Sequence, residues 1–137
     1  MKSFSFQLDI FLLMFATLCV ANCEAQVAAP INFTMTSALV VEKTTLPPGS
    51  YTIRPFEQDS DALELTSSTG HSVLFACESM DSNTSMSELT FHRYRIALYL
   101  KQVSAGSGAC FVPAGPSEKQ AKKSSKPTKE TVSASAK

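Results

Sequence analysis

The chain reads as all-β: a small antiparallel β-sandwich or barrel followed by a disordered C-terminal tail. Three observations predict this. Between residues 26 and 113, apolar side chains alternate with polar ones and show no sustained 3.6-residue period. Turn formers, Pro47-Pro48-Gly49 and Ser67-Ser68-Thr69-Gly70, punctuate the alternation at short intervals. Beyond Pro113 the aromatic residues disappear and Val132 is the single branched apolar side chain.

Taken in order, Ile31, Phe33 and Met35 face one way and Asn32 and Thr34 the other, as in a half-buried strand. Ala38–Leu46 is rich in β-branched residues, with no register evident. In Thr45-Leu46-Pro47-Pro48-Gly49-Ser50-Tyr51-Thr52-Ile53 the prolines cannot donate to a ladder, and the glycine suits a tight turn. This stretch is expected to be strand, turn, strand, in the manner of a hairpin. Leu63 and Leu65 mark the next strand, and Val73, Phe75 and Cys77 share a face in the one after it. The polar run Glu78–Ser85 is expected to be a mobile loop. Leu89 and Phe91 alternate with Glu88, Thr90 and His92, and a strand over Ala97–Val103 pairs back through a short turn at Tyr94-Arg95-Ile96.

Residues 1–25 carry the marks of a secretory signal peptide. Lys2 precedes an uncharged apolar run, Ile10–Val20, that is shorter than the ~20 residues of a membrane-spanning helix. Cys23-Glu24-Ala25 then places small residues at the two positions that signal peptidase reads before a cut at Gln26. A membrane anchor is one competing reading. A lipid anchor on Cys23 is another, although Asn22 is bulky for a lipobox. Cleavage removes Cys19 and Cys23 and leaves Cys77 and Cys110 in an exported chain, periplasmic or extracellular, where thiols oxidise. A Cys77–Cys110 disulfide is therefore expected; two separate buried thiols are the alternative. The mature chain has no apolar run of transmembrane length.

Charge divides the chain. Residues 26–113 carry five basic and eight acidic groups, a net −3, whereas residues 114–137 hold six lysines against Glu118 and Glu130, a net +4. So few apolar groups in the tail cannot offset its ordering entropy, hence the expectation of disorder. A basic tail on an exported protein suits anionic envelope polymers or lipid head groups. Nucleic acid is a poor match for an acidic exported body.

The phrases PINFTM, LPPGSYTIRP, SELTFHRYRIALYLKQV and PAGPSEKQ, in this order, resemble a group of small exported acidobacterial proteins of unassigned function. In that group a segment similar to VPFDF precedes LPAGxYxV, LVFHRYGDxYFLxQV and a terminal LPxSxxER. The likeness spans most of residues 30–120, and LPPGSYTI and LTFHRY are its specific parts. Arg95-Ile96 stands where the group has Gly-Asp, and Ser117-Glu118-Lys119 departs from its terminal acidic-arginine pair. The resemblance implies export and a β fold; it implies no activity.

No catalytic residue, metal set or cofactor is expected. His71 and His92 are the two histidines of the chain, and neither sits in a G-x-S-x-G elbow or an H-E-x-x-H motif. The acidic turn Glu57–Asp61 lacks the glycine and distal glutamate of a calcium loop. The cysteines and histidines lack zinc spacing. Arg93, Tyr94, Arg95 and Tyr99 form the one aromatic and basic cluster that suggests a binding surface. The expected function is that of a non-enzymatic envelope interaction or structural module. The alternative is a small glycan- or lipid-binding domain using the Arg93–Tyr99 hairpin.

Overall fold

The structure, a computed structural model, describes residues 29–57, 61–82, 84–106 and 108–136. The signal-peptide and lipid-anchor readings fall on residues 1–25, outside these, as does the middle of the acidic turn. Along the chain come β1 (Ile31–Met35), β2 (Leu39–Val41), β3 (Thr44–Leu46), β4 (Gly49–Pro55), β5 (Ala62–Ser67) and β6 (Ser72–Ala76). They are followed by β7 (Glu78–Asp81), β8 (Glu88–Tyr94), β9 (Ala97–Ala105) and β10 (Gly108–Phe111). A helix, α1 (Pro116–Ser124), then leads to β11 (Thr128–Ser133) and β12 (Ser135–Ala136).

The strands form a two-layer sandwich. One sheet runs β12-β1-β4-β5-β6; the other runs β11-β8-β9-β10-β7, with β2 and β3 branching from β9. Ile31, Ile53 and Leu65 stand side by side across β1, β4 and β5, all fully buried. In the facing sheet Leu89 lies opposite Val103 and Phe91 opposite Leu100, also buried. Phe33 bridges the layers, its ring 5.8 Å from Tyr51 and 6.4 Å from Phe91. Alternation therefore picked out the inward-facing residues of β1, β4, β5 and β8, because successive side chains of a strand point to opposite faces. Phe75 and Cys77 also face the core, and Cys77 is joined to Cys110 with a Cα–Cα distance of 5.5 Å.

The turns at Ser67–Gly70 and Arg95-Ile96 close hairpins as expected, with Gly70 and Arg95 at positive φ. Four expectations are corrected. Thr45–Ile53 is strand, turn, strand, but β3 and β4 belong to opposite sheets, so Pro47-Pro48 forms an arch between layers. Gly49 lies outside the left-handed region and pairs with Met35 as a strand residue. Glu78–Asp81 is an edge strand, β7, because the chain crosses between sheets at Cys77 and its backbone pairs with β10. The packing is also not purely antiparallel: β2 runs parallel to β9 at Leu98 and Tyr99, on the edge that β10 leaves free.

The largest correction concerns the tail, which is ordered into α1, β11 and β12. Pro116 opens the helix, where a missing N–H costs nothing; Glu118 lies in the first turn and Lys122 and Lys123 in the last, each complementing the helix dipole. β11 pairs with β8 over six residues, and β12 pairs with β1 in the other sheet. Few apolar groups are required, since hydrogen bonds to existing edges and contacts of Val132 and Ala134 with the core supply the docking.

Candidate functional site

The site begins with an irregularity in β9. Thr90 pairs with Gln102 and Phe91 with Leu100, so Lys101 is the extra residue of a β-bulge. Bulges re-aim side chains. Here the Lys101 side chain lies beneath α1, 5% exposed. Its Nζ donates to Glu118 Oε2 at 2.9 Å and to the Val112 carbonyl at 2.9 Å, and stands 5.1 Å from the Phe111 ring centre. On the other carboxylate oxygen, Tyr94 Oη donates at 3.4 Å and His92 Nδ1 lies at 3.5 Å. Burial, and then the neighbouring Glu118 carboxylate, push the Tyr94 phenol above its ordinary value.

A second ion pair holds β11. Arg93 makes a forked contact with Glu130, from Nε to Oε1 and from Nη2 to Oε2 at 3.0 Å. Hydrogen bonding to Arg93 holds the Glu130 carboxyl below the usual range, and the same contact raises the Arg93 guanidinium. Both acidic groups of the C-terminal segment thus turn inward onto cations of the body. Its lysines do the reverse: Lys119, Lys122, Lys123, Lys126 and Lys129 are all exposed. The surface from α1 into β11 therefore carries five exposed lysines, and its one partly exposed carboxylate, Glu130, is paired with Arg93.

The cluster read from the sequence is brought together only in part as a surface. Arg93 is occupied by Glu130, and Tyr94 is buried with its ring 5.6 Å from Tyr99. Tyr99 is half-buried, while Arg95 sits exposed at the turn beside Ile96. The sequence reading missed Lys101 and Glu118. Pro116, the first-turn Glu118 and the Lys122-Lys123 pair together were a helix-start and helix-stop signal that could have found the segment.

A groove lies at another part of the molecule. Its cavity of about 420 Å³ is lined by Thr44–Tyr51, Ser67–Thr69 and His71–Val73. A smaller hollow of about 280 Å³, reaching Asn32, Thr34, Thr52 and Thr66, shares Ser50, Tyr51, Ser67 and Ser68 with it. Comparison with known proteins finds no matching family model, no matching curated protein and no matching solved structure.

Proposed function

We propose that this is an exported, non-enzymatic interaction module that associates with anionic polymers of the cell envelope through its C-terminal basic face. One observation carries the reading: Glu118 is paired with Lys101 in the interior and Glu130 with Arg93 at the half-exposed surface, so five exposed lysines act outward without an unpaired carboxylate from their own segment. An ordered array of like charges attracts a polyanion more strongly than the net charge of the whole chain suggests. The disulfide is compatible with an oxidising compartment. No helix among the described residues is long and apolar enough to cross a membrane. The signal-peptide features before Gln26 support export.

Retention on an immobilised carboxylate polymer, with a neutral polymer as control, tests the proposal. Retention of the full chain is expected to fall as salt rises and the Debye length shrinks from about 10 Å at 0.1 M to about 3 Å at 1 M. A variant carrying Lys119→Gln, Lys122→Gln and Lys123→Gln is expected to elute earlier while remaining folded, its melting temperature lowered only by the loss of two helix-dipole contacts at Lys122 and Lys123. Equal retention of the two proteins would remove the basic face from the function.

A further inference from the structure

The geometry points to the groove between Thr44–Tyr51 and Ser67–Val73 as a binding site for a neutral oligosaccharide. Its position is set by topology. β3 pairs only with β2 and β6 only with β5 among the described residues, so both present an unpaired edge to the groove. The Pro47-Pro48 arch closes the end where the chain passes between sheets.

Chemistry selects the ligand class. The lining of both hollows contains no aspartate, glutamate, lysine or arginine. It offers instead the hydroxyls of Thr44, Thr45, Ser68 and Thr69, the His71 imidazole and, farther along, the Asn32 amide. A charged ligand would lose hydration there with no counter-charge to replace it. A purely apolar ligand would match Leu46, Pro47, Pro48 and Val73 but strip water from the hydroxyls of Thr44, Thr45 and Ser68, whereas Thr69 already bonds Ser67 and Asn32 already bonds Thr52. A saccharide exchanges hydroxyl for hydroxyl and lays its C–H faces on the exposed rings of Pro47 and Pro48.

Shape favours a chain over a single sugar. The two hollows adjoin at four shared residues, Ser50, Tyr51, Ser67 and Ser68, so a ligand longer than one sugar is needed to reach from the prolines to the hollow beside Asn32 and Thr52. The walls are held before any ligand arrives. Tyr51 Oη donates to the Pro47 carbonyl, the His71 N–H to Ser67 Oγ at 3.0 Å, and the Ser68 N–H to the Ser50 carbonyl at 3.0 Å. A preformed groove loses little ordering entropy on binding. An extended peptide is the rival occupant of unpaired edges, but β3 is three residues long and is followed by two prolines that lack N–H donors.

Amide chemical shifts of the full exported chain, titrated separately with cello-oligosaccharide, chito-oligosaccharide, oligogalacturonate and an extended peptide, decide the matter. Expected are shifts confined to residues 44–52 and 66–73 with at least one neutral oligosaccharide. Ser68→Arg, at an exposed position shared by both hollows, is expected to weaken that binding about tenfold or more. Thr45→Arg is a second variant should the first not fold. The triple Lys→Gln variant of α1 should bind the saccharide normally, which keeps this site distinct from the basic face. The proposal is overturned by absence of shifts at about 10 mM of every neutral oligosaccharide. Preference for oligogalacturonate, peptide pairing along β3 or β6, or shifts centred on α1 would overturn it equally.

Discussion

Burying the Lys101 ammonium removes most of its hydration, so its place in the fold depends on what replaces the water. Glu118, the Val112 carbonyl and the Phe111 ring do so. Glu118→Ala leaves that cation facing an empty space, and breaking one half of a buried pair costs about 3–5 kcal/mol when the site stays closed. The segment can instead lift away and let water reach Lys101. The expected loss is therefore limited to the free energy of undocking, and hydrogen exchange should quicken in α1 and β11 while β4 and β5 keep their protection. Lys101→Met combined with Glu118→Leu should restore most of that protection. If the double variant is as unprotected as the single one, the ion pair is not what holds the helix down. Arg95 presents a different residue-scale cost, a left-handed φ of 57° in a two-residue hairpin turn. Arg95→Gly should raise unfolding stability by about 1 kcal/mol, measured by urea denaturation, because glycine adopts this conformation without a Cβ clash.

At the scale of elements, the C-terminal segment is the part whose stability should depend most visibly on pH. The pair holding β11 has Glu130 shifted below its ordinary value. A carboxyl with a folded-state pKa lower than its unfolded one stabilises fully above the unfolded value. That contribution is lost as pH falls through the lowered one. Amide protection over Thr128–Ser133 should thus decline between about pH 6 and pH 3 by more in the native protein than in Glu130→Gln. Half-exposure of both partners keeps the difference at about 1 kcal/mol or less. Equal decline in the two proteins would assign the pH dependence elsewhere. The order of this segment was only half legible. Helix signals at Pro116, Glu118 and Lys122-Lys123 and the alternation of Glu130 with Val132 are present in the sequence. Composition points the other way, since it counts apolar groups in the segment and not the edges waiting in β8 and β1.

For the whole molecule, the sandwich has two flanks, and the chain crosses between sheets on each. At one flank it passes from β6 to β7 through Cys77; at the other it passes from β11 to β12 through Ala134, whose N–H bonds to the Ser87 carbonyl. The disulfide ties the first crossing to β10 across 33 residues of sequence. Reduction is expected to lower unfolding stability by about 3–4 kcal/mol in the chain-entropy model, seen as an earlier urea midpoint. An unchanged midpoint would mean that the bridge does not restrict the unfolded chain. Intact-mass measurement of the exported protein should find Gln26 as the first residue and alkylation of Cys77 and Cys110 only after reduction. A mass retaining residues 1–25 would overturn the export reading.

By itself the sequence determined the strand class, the inward faces of β1, β4, β5 and β8, the β5–β6 and β8–β9 hairpins and the choice of cysteines for the bridge. These follow from local quantities: the two-residue alternation of a strand, the conformational preferences of turn residues, and the count of cysteines beyond the expected cleavage point at Gln26. Only the tertiary structure decided between sandwich and barrel, sent β3 and β4 to opposite sheets, aimed Lys101 beneath α1 and ordered the tail against Arg93 and Lys101. Each of these depends on partners 17 to 37 residues apart, Lys101 with Glu118 and Arg93 with Glu130, or on which free edge a strand meets. Such pairings are energies between distant segments, and they acquire a value only once the chain has brought those segments together.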